Sequence, residues 1–110
     1  MGKFIISEKN DSEFQFNFKN KNGDIILTSE TYLSIDCCKN GIQCAKNNSI
    51  IEDRYEKKAS ASDQFHFYLK SGNGNIIGTS QIYHTKTSMD SGINYMINRA
   101  EDSSVEHEVN

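Results

Sequence analysis

An α+β fold, in which two tandem β-β-β-α repeats share one antiparallel sheet with their helices packed on one face, follows from three features of this sequence. First, the chain repeats itself: Phe14-Gln15-Phe16-Asn17-Phe18-Lys19 returns as Phe65-His66-Phe67-Tyr68-Leu69-Lys70, an offset of 51 residues held without a gap. Second, apolar residues in each copy alternate with polar ones, the period of a half-buried strand, and then switch to helical spacing. Third, Asn22-Gly23 and Asn73-Gly74 stand between alternating runs, and both residue types tolerate the positive φ of a tight type I′ hairpin.

Phe4 and Ile6 open the first strand, Phe14, Phe16 and Phe18 mark the second, and Ile25 to Thr31 continues as the third. Ser34 is the expected N-cap of a helix whose apolar face is Ile35, Cys38, Ile42 and Ala45. The second copy follows suit, with Thr85 before Met89, Ile93, Met96 and Ala100. Asn47 and Asn98 are expected helix stops, since Asn adopts the left-handed conformation that commonly ends a last turn. Gly41 and Gly92 sit inside the helices at a cost of about 1 kcal/mol each relative to Ala, which predicts a close approach of helix to sheet. Val105 to Val109 alternates once more and reads as a short last strand.

At 110 residues the chain is expected to be a single domain, 1–110, made of repeats 3–49 and 54–100 with an acidic C-terminal segment 101–110. Each repeat alone is near the size at which a core becomes marginal, so the copies should fold together. The net charge is -3, but Glu101, Asp102, Glu106 and Glu108 lie in a final stretch without Lys or Arg, which leaves a near-neutral body. That body lacks the basic stripe of a nucleic-acid binder. Mean hydropathy is -0.67, and no window approaches a membrane span. The N-terminal apolar run is too short for a signal peptide, so the expected location is the cytoplasm.

Gly2-Lys3-Phe4, Glu13-Phe14-Gln15-Phe16, Lys19, Asn22-Gly23, Ile26, Thr28-Ser29-Glu30, Tyr32, Ser34, Gly41-Ile42, Asn47 and Arg54-Tyr55-Glu56-Lys57-Lys58, with their second copies, form a set spanning nearly the whole chain. As a set they resemble the YegP-like family of small tandem-repeat bacterial proteins of unknown function. The resemblance implies a fold in which repeats pool three strands and a helix each and exchange their C-terminal strands. It implies no activity, cofactor or catalytic residue. The chain departs from the family at Cys37, Cys38 and Cys44, where small residues such as Ala and Ser are usual.

The three cysteines share one predicted helix and lack the paired spacing of structural zinc, while His66, His84 and His107 lie in other elements. Buried or idle thiols are the preferred reading, with no metal and no cofactor. The Phe14, Phe16, Phe18 stripe could stack on bases, but a helix with an apolar face must cover something, and this stripe is the apolar surface available to it. The polar residues that both copies retain, Lys19 and Lys70, Thr28 and Thr79, Ser29 and Ser80, Tyr32 and Tyr83, form the candidate binding surface, pseudo-symmetric if exposed and ordinary core-rim residues if not.

Nothing duplicated in the chain pairs a nucleophile or metal with a tuned acid or base, so no catalysis is expected. The favoured function is a non-enzymatic binding or structural module that engages a polypeptide partner, with no membrane. The alternative is a single-stranded nucleic-acid binder using the sheet aromatics with Lys19 and Lys70, which the charge balance disfavours. Both a monomer and a homodimer are compatible with the sequence.

Overall fold

The structure is a computed structural model that describes residues 2–10 and 12–108. Seven strands and two α-helices follow one another as β1 (Lys3–Asn10), β2 (Glu13–Lys19), β3 (Ile25–Ser29), α1 (Ile35–Ser49), β4 (Tyr55–Ala59), β5 (Phe65–Lys70), β6 (Ile76–Ser80), α2 (Lys86–Arg99) and β7 (Ser104–His107). A single 3-10 turn, Glu52–Arg54, leads from α1 into β4. The strands form one sheet in the order β4-β5-β6-β3-β2-β1-β7. Antiparallel pairing runs from β4 to β1, and the repeats join where β3 meets β6 with Thr28 opposite Thr79. The last pair departs from the expected antiparallel sheet: β7 leaves the second repeat and lies parallel to β1 of the first.

Alternation decides which side of the sheet is core. Phe4, Ile6, Phe16, Phe18, Phe67 and Leu69 are fully buried, together with Cys38, Ala45 and Met96 of the helices. Their strand neighbours Gln15, Asn17, His66 and Tyr68 are only half-buried on the opposite, uncovered face. Ser34 and Thr85 cap the helices as their types predict, each side-chain oxygen accepting from the backbone N–H three residues on, Cys37 and Ser88, at 3.0 Å.

Three expectations need correction. The Asn-Gly hairpins are not two-residue type I′ turns: in each pair the glycine, Gly23 or Gly74, has positive φ and the asparagine does not, and Asn20 closes the first turn by accepting from Gly23 N–H while its side chain accepts from Asn22 and Asp24. Asn47 and Asn98 are helical and stop nothing; the helices run on to Ser49 and Arg99, where Ser49 Oγ donates back to the Lys46 carbonyl and Ser103 Oγ to that of Arg99. The third strand ends at Ser29 rather than Thr31, because the serine hydroxyl takes over the ladder there. The last strand, expected over Val105 to Val109, is Ser104–His107; Glu108 lies just beyond it, and Val109 lies outside the described residues.

Candidate functional site

The eight polar residues shared by the repeats do not form one surface. Ser29 and Ser80 are buried, and each hydroxyl accepts from a strand amide (Phe16 and Phe67, both 2.9 Å) while donating to the next carbonyl along, Glu30 and Gln81. Tyr32 and Tyr83 bridge back to Phe14 and Phe65 through their backbones and lay their rings over the helices. A Cβ at Gly41 or Gly92 would overlap the phenol of Tyr32 or Tyr83, so the close approach these glycines permit is to a tyrosine ring. Burial pushes the pKa of both phenols up. Only Thr28, Thr79, Lys19 and Lys70 remain on the uncovered face, where Thr28 donates to Asn17 Oδ1 at 2.9 Å and Lys70 contacts Glu56 at 2.6 Å.

The thiols and imidazoles are no more convergent. Cys38 is buried, which raises its pKa to about 11; Cys37 is exposed and Cys44 intermediate. His66 sits on the uncovered face with its ring edge against Tyr68, while His84 and His107 are exposed elsewhere. Among the described residues no group of three His, Cys, Asp or Glu could hold a metal. A groove of about 810 Å³ between α1 and the β5–β6 hairpin is lined by Tyr32, Cys37, Cys44, Ile76 and several amide side chains, without a charged group or histidine. Phe16 and Phe18 are fully buried and Phe14 half-buried, so the sheet aromatics proposed for base stacking lie beneath the helices.

What the fold does expose is a difference between its two ends. On β1 the outward edge is taken: Glu108 N–H donates to the Ile6 carbonyl at 2.8 Å, and Phe4 and Ile6 are fully buried beside β7. The equivalent strand, 51 residues on, is β4, where Tyr55 and Lys57 take the places of Phe4 and Ile6. Among the described residues the sheet ends there. Ser60 donates to Gln64, and antiparallel bonds alternate, so Glu56 and Lys58 turn their backbone groups to β5 while Tyr55, Lys57 and Ala59 turn theirs outward. Lys57, Lys58 and Ala59 are exposed.

A cleft of about 240 Å³ runs along this edge, lined by Tyr55 and Lys57 of β4, Glu52, and Asp90, Ile93 and Asn94 of α2. Tyr55 is anchored from below by donating to the Ser49 carbonyl at 2.7 Å, and its burial raises its pKa. Lys57 contacts Asp90 at 2.9 Å. At the other end Lys39, Ile42 and Gln43 of α1, equivalent to Asp90, Ile93 and Asn94, stand over β7 and line a cleft with Val105. One signal of this difference is present in the sequence: position 6 is Ile and its counterpart 57 is Lys, a change that marks different cover over the same strand position.

Comparison with known proteins matches this architecture to sequences and structures of its own kind. The model "Domain of unknown function (DUF1508)" matches twice, at residues 10–56 and 60–106, so one unit ends in β4 and the other in β7. The "UPF0339 protein in ptx operon 5'region" of Stutzerimonas stutzeri is 43% identical over 104 residues, 94% of each chain. The UPF0339 protein YegP of Escherichia coli K12 is 45% identical over 92 residues, 84% of each. The solution NMR structure of a UPF0339 protein from Shewanella oneidensis superposes with a TM-score of 0.90 at 36% identity, covering 96% of this chain and 90% of that one. That of yegP from E. coli, titled a protein of unknown function, gives 0.89 at 39% identity, covering 97% and 92%. No helix among the described residues is long and apolar enough to cross a membrane. With both repeats matched and relatives of 43% and 45% identity covering most of its length, the chain belongs to the DUF1508 family, the uncharacterised UPF0339 proteins that include YegP.

Proposed function

We propose that the protein is a polypeptide-binding module that receives an extended segment of a partner as an eighth strand on the outer edge of β4. The observation that carries this reading is the contrast between equivalent strands: β1 has β7 on its outer edge, whereas the outward backbone groups of Tyr55, Lys57 and Ala59 face no strand among the described residues. Backbone pairing supplies most of the contacts in such a mode, and side-chain pockets supply the choice of partner. The module is non-enzymatic, since the described residues bring no nucleophile, base and polarising group to one place. Single-stranded nucleic acid fits less well, because Phe16 and Phe18 are buried and Lys70 is held by Glu56.

The test blocks the edge without touching the sheet. Proline at position 57 removes an outward N–H that β5 does not use, so Lys57→Pro should leave the fold intact. Selection from a random peptide library should enrich segments on the wild-type protein that slow hydrogen exchange at Lys57 and Ala59, and the variant should enrich none. Equal enrichment by a folded Lys57→Pro variant would rule out strand addition here.

A further inference from the structure

Resting on that reading, we infer that the segment bound by β4 runs parallel to it and carries an aliphatic residue followed directly by a carboxylate. The template is inside the molecule. β7 pairs with β1 in parallel, Lys3 with Ser104, Phe4 with Val105, Ile5 with Glu106 and Ile6 with His107. On the helix side Val105 lines a cleft together with Lys39, Ile42, Gln43 and Lys46; on the uncovered side Glu106 reaches Lys3 Nζ at 3.2 Å. Shifted by 51 residues, the same register sets four residues of an incoming strand opposite Arg54, Tyr55, Glu56 and Lys57.

The surroundings of β4 are prepared for this pattern. The second residue of the incoming strand falls at the cleft of Tyr55, Lys57, Asp90 and Ile93, where the largely buried Ile93 stands as Ile42 does over Val105. The third falls on the uncovered face opposite Glu56 and beside Lys58, whereas Arg54, the counterpart of Lys3, turns to α1 and donates from Nε to Asn48 Oδ1 at 2.9 Å. Lys58 and Lys70 outnumber Glu56 there, and Glu56 already contacts both lysines, so the one surplus cation of this face complements a carboxylate.

The reason this edge is bare lies in the covalent chain. The segment equivalent to β7 in the first repeat is residues 53–56, and these already form the turn and start of β4 itself. One segment cannot be both the outer strand and the strand it covers. The tandem chain therefore supplies one exchanged strand for two equivalent edges.

The probe is a synthetic peptide of the sequence Ser-Ser-Val-Glu-His-Glu, that of residues 103–108, titrated into the full chain labelled with 15N. Amide shifts are expected at Tyr55, Lys57, Ala59 and Ile93, and a spin label on the peptide N-terminus should broaden signals near Arg54 rather than near Ala59. Replacing Val by Asp in the peptide should weaken binding at least about tenfold. Replacing Glu by Lys should weaken it about threefold to tenfold, and a Lys58→Glu protein should shrink that preference. Binding at β4 with the label near Ala59, or with no preference for Glu over Lys, overturns this inference and leaves strand addition standing. No shift at β4 also overturns it, while strand addition itself then depends on the Lys57→Pro selection. Concentration-dependent oligomers of the peptide-free protein that Lys57→Pro abolishes would identify a second copy as the occupant and overturn it too.

Discussion

Leu27 and Gly78 hold equivalent places in the two repeats, yet the first is a fully buried side chain and the second has none. They meet at the seam, where β3 pairs with β6 about Thr28 and Thr79. A Cβ on Gly78 would lie 2.9 Å from Leu27 Cγ, Leu27 Cδ2 and the Thr28 carbonyl. Near a pseudo-twofold axis two equal side chains compete for one volume, and here one copy fills it. The same division recurs further out: Phe18 packs its ring 6.0 Å from Tyr95, while the counterparts Leu69 and Cys44 are both smaller. Symmetric backbone thus encloses an asymmetric core, and the copies are no longer interchangeable.

The largest effects should come from disturbing that seam. Leu27→Ala leaves a cavity at a site with no exposure and should cost about 2 to 5 kcal/mol in urea unfolding. Gly78→Leu overpacks the same space and should cost about 1 to 3 kcal/mol. Because the two residues share one volume, the exchanged pair Leu27→Gly with Gly78→Leu should be less destabilised than the sum of its single changes. Strict additivity in that cycle would show that the volumes are separate.

Where the repeats agree, the shared residue serves the backbone. Ser29 and Ser80 each satisfy a buried amide, so Ser29→Ala and Ser80→Ala should each cost about 1 to 3 kcal/mol, with similar values in both copies. A cost in only one copy would mean that the other amide finds a replacement partner. This explains what could be read in the sequence and what could not. Alternation at Phe14, Phe16 and Phe18 and the caps Ser34 and Thr85 are local signals, and local signals were sufficient for most elements. Retention of Ser29, Tyr32 and their counterparts singled out those residues but could not separate a binding role from a structural one, because hydroxyls meet buried backbone and partners with the same chemistry. The parallel pairing of β7 was beyond reach, since it depends on where the chain leaves α2. The bare edge at β4 follows from that pairing and was hidden with it.

Lys19 and Lys70 give the finest comparison, for they match in sequence and differ in surroundings. Lys70 contacts Glu56 at 2.6 Å and Lys58 contacts it at 3.3 Å, whereas the counterparts of Glu56 and Lys58 are Ile5 and Ser7. Hydrogen bonding from Lys70, then from Lys58, holds the Glu56 carboxyl below its ordinary pKa of 4.5. A lowered carboxyl stabilises the fold above its unfolded value and loses that contribution as pH falls through the folded one. The stability gap between the wild type and Lys70→Ala should therefore be present at neutral pH and close progressively below about pH 4.5. It should be the smallest effect of the three, because the group is solvated and exposed pairs contribute little. In NMR titrations Lys70→Ala should move the Glu56 midpoint upward further than Lys58→Ala does, and Lys19→Ala should leave it where it is. A Glu56 midpoint unmoved by Lys70→Ala would place the two lysines on equal terms and remove this difference between the repeats.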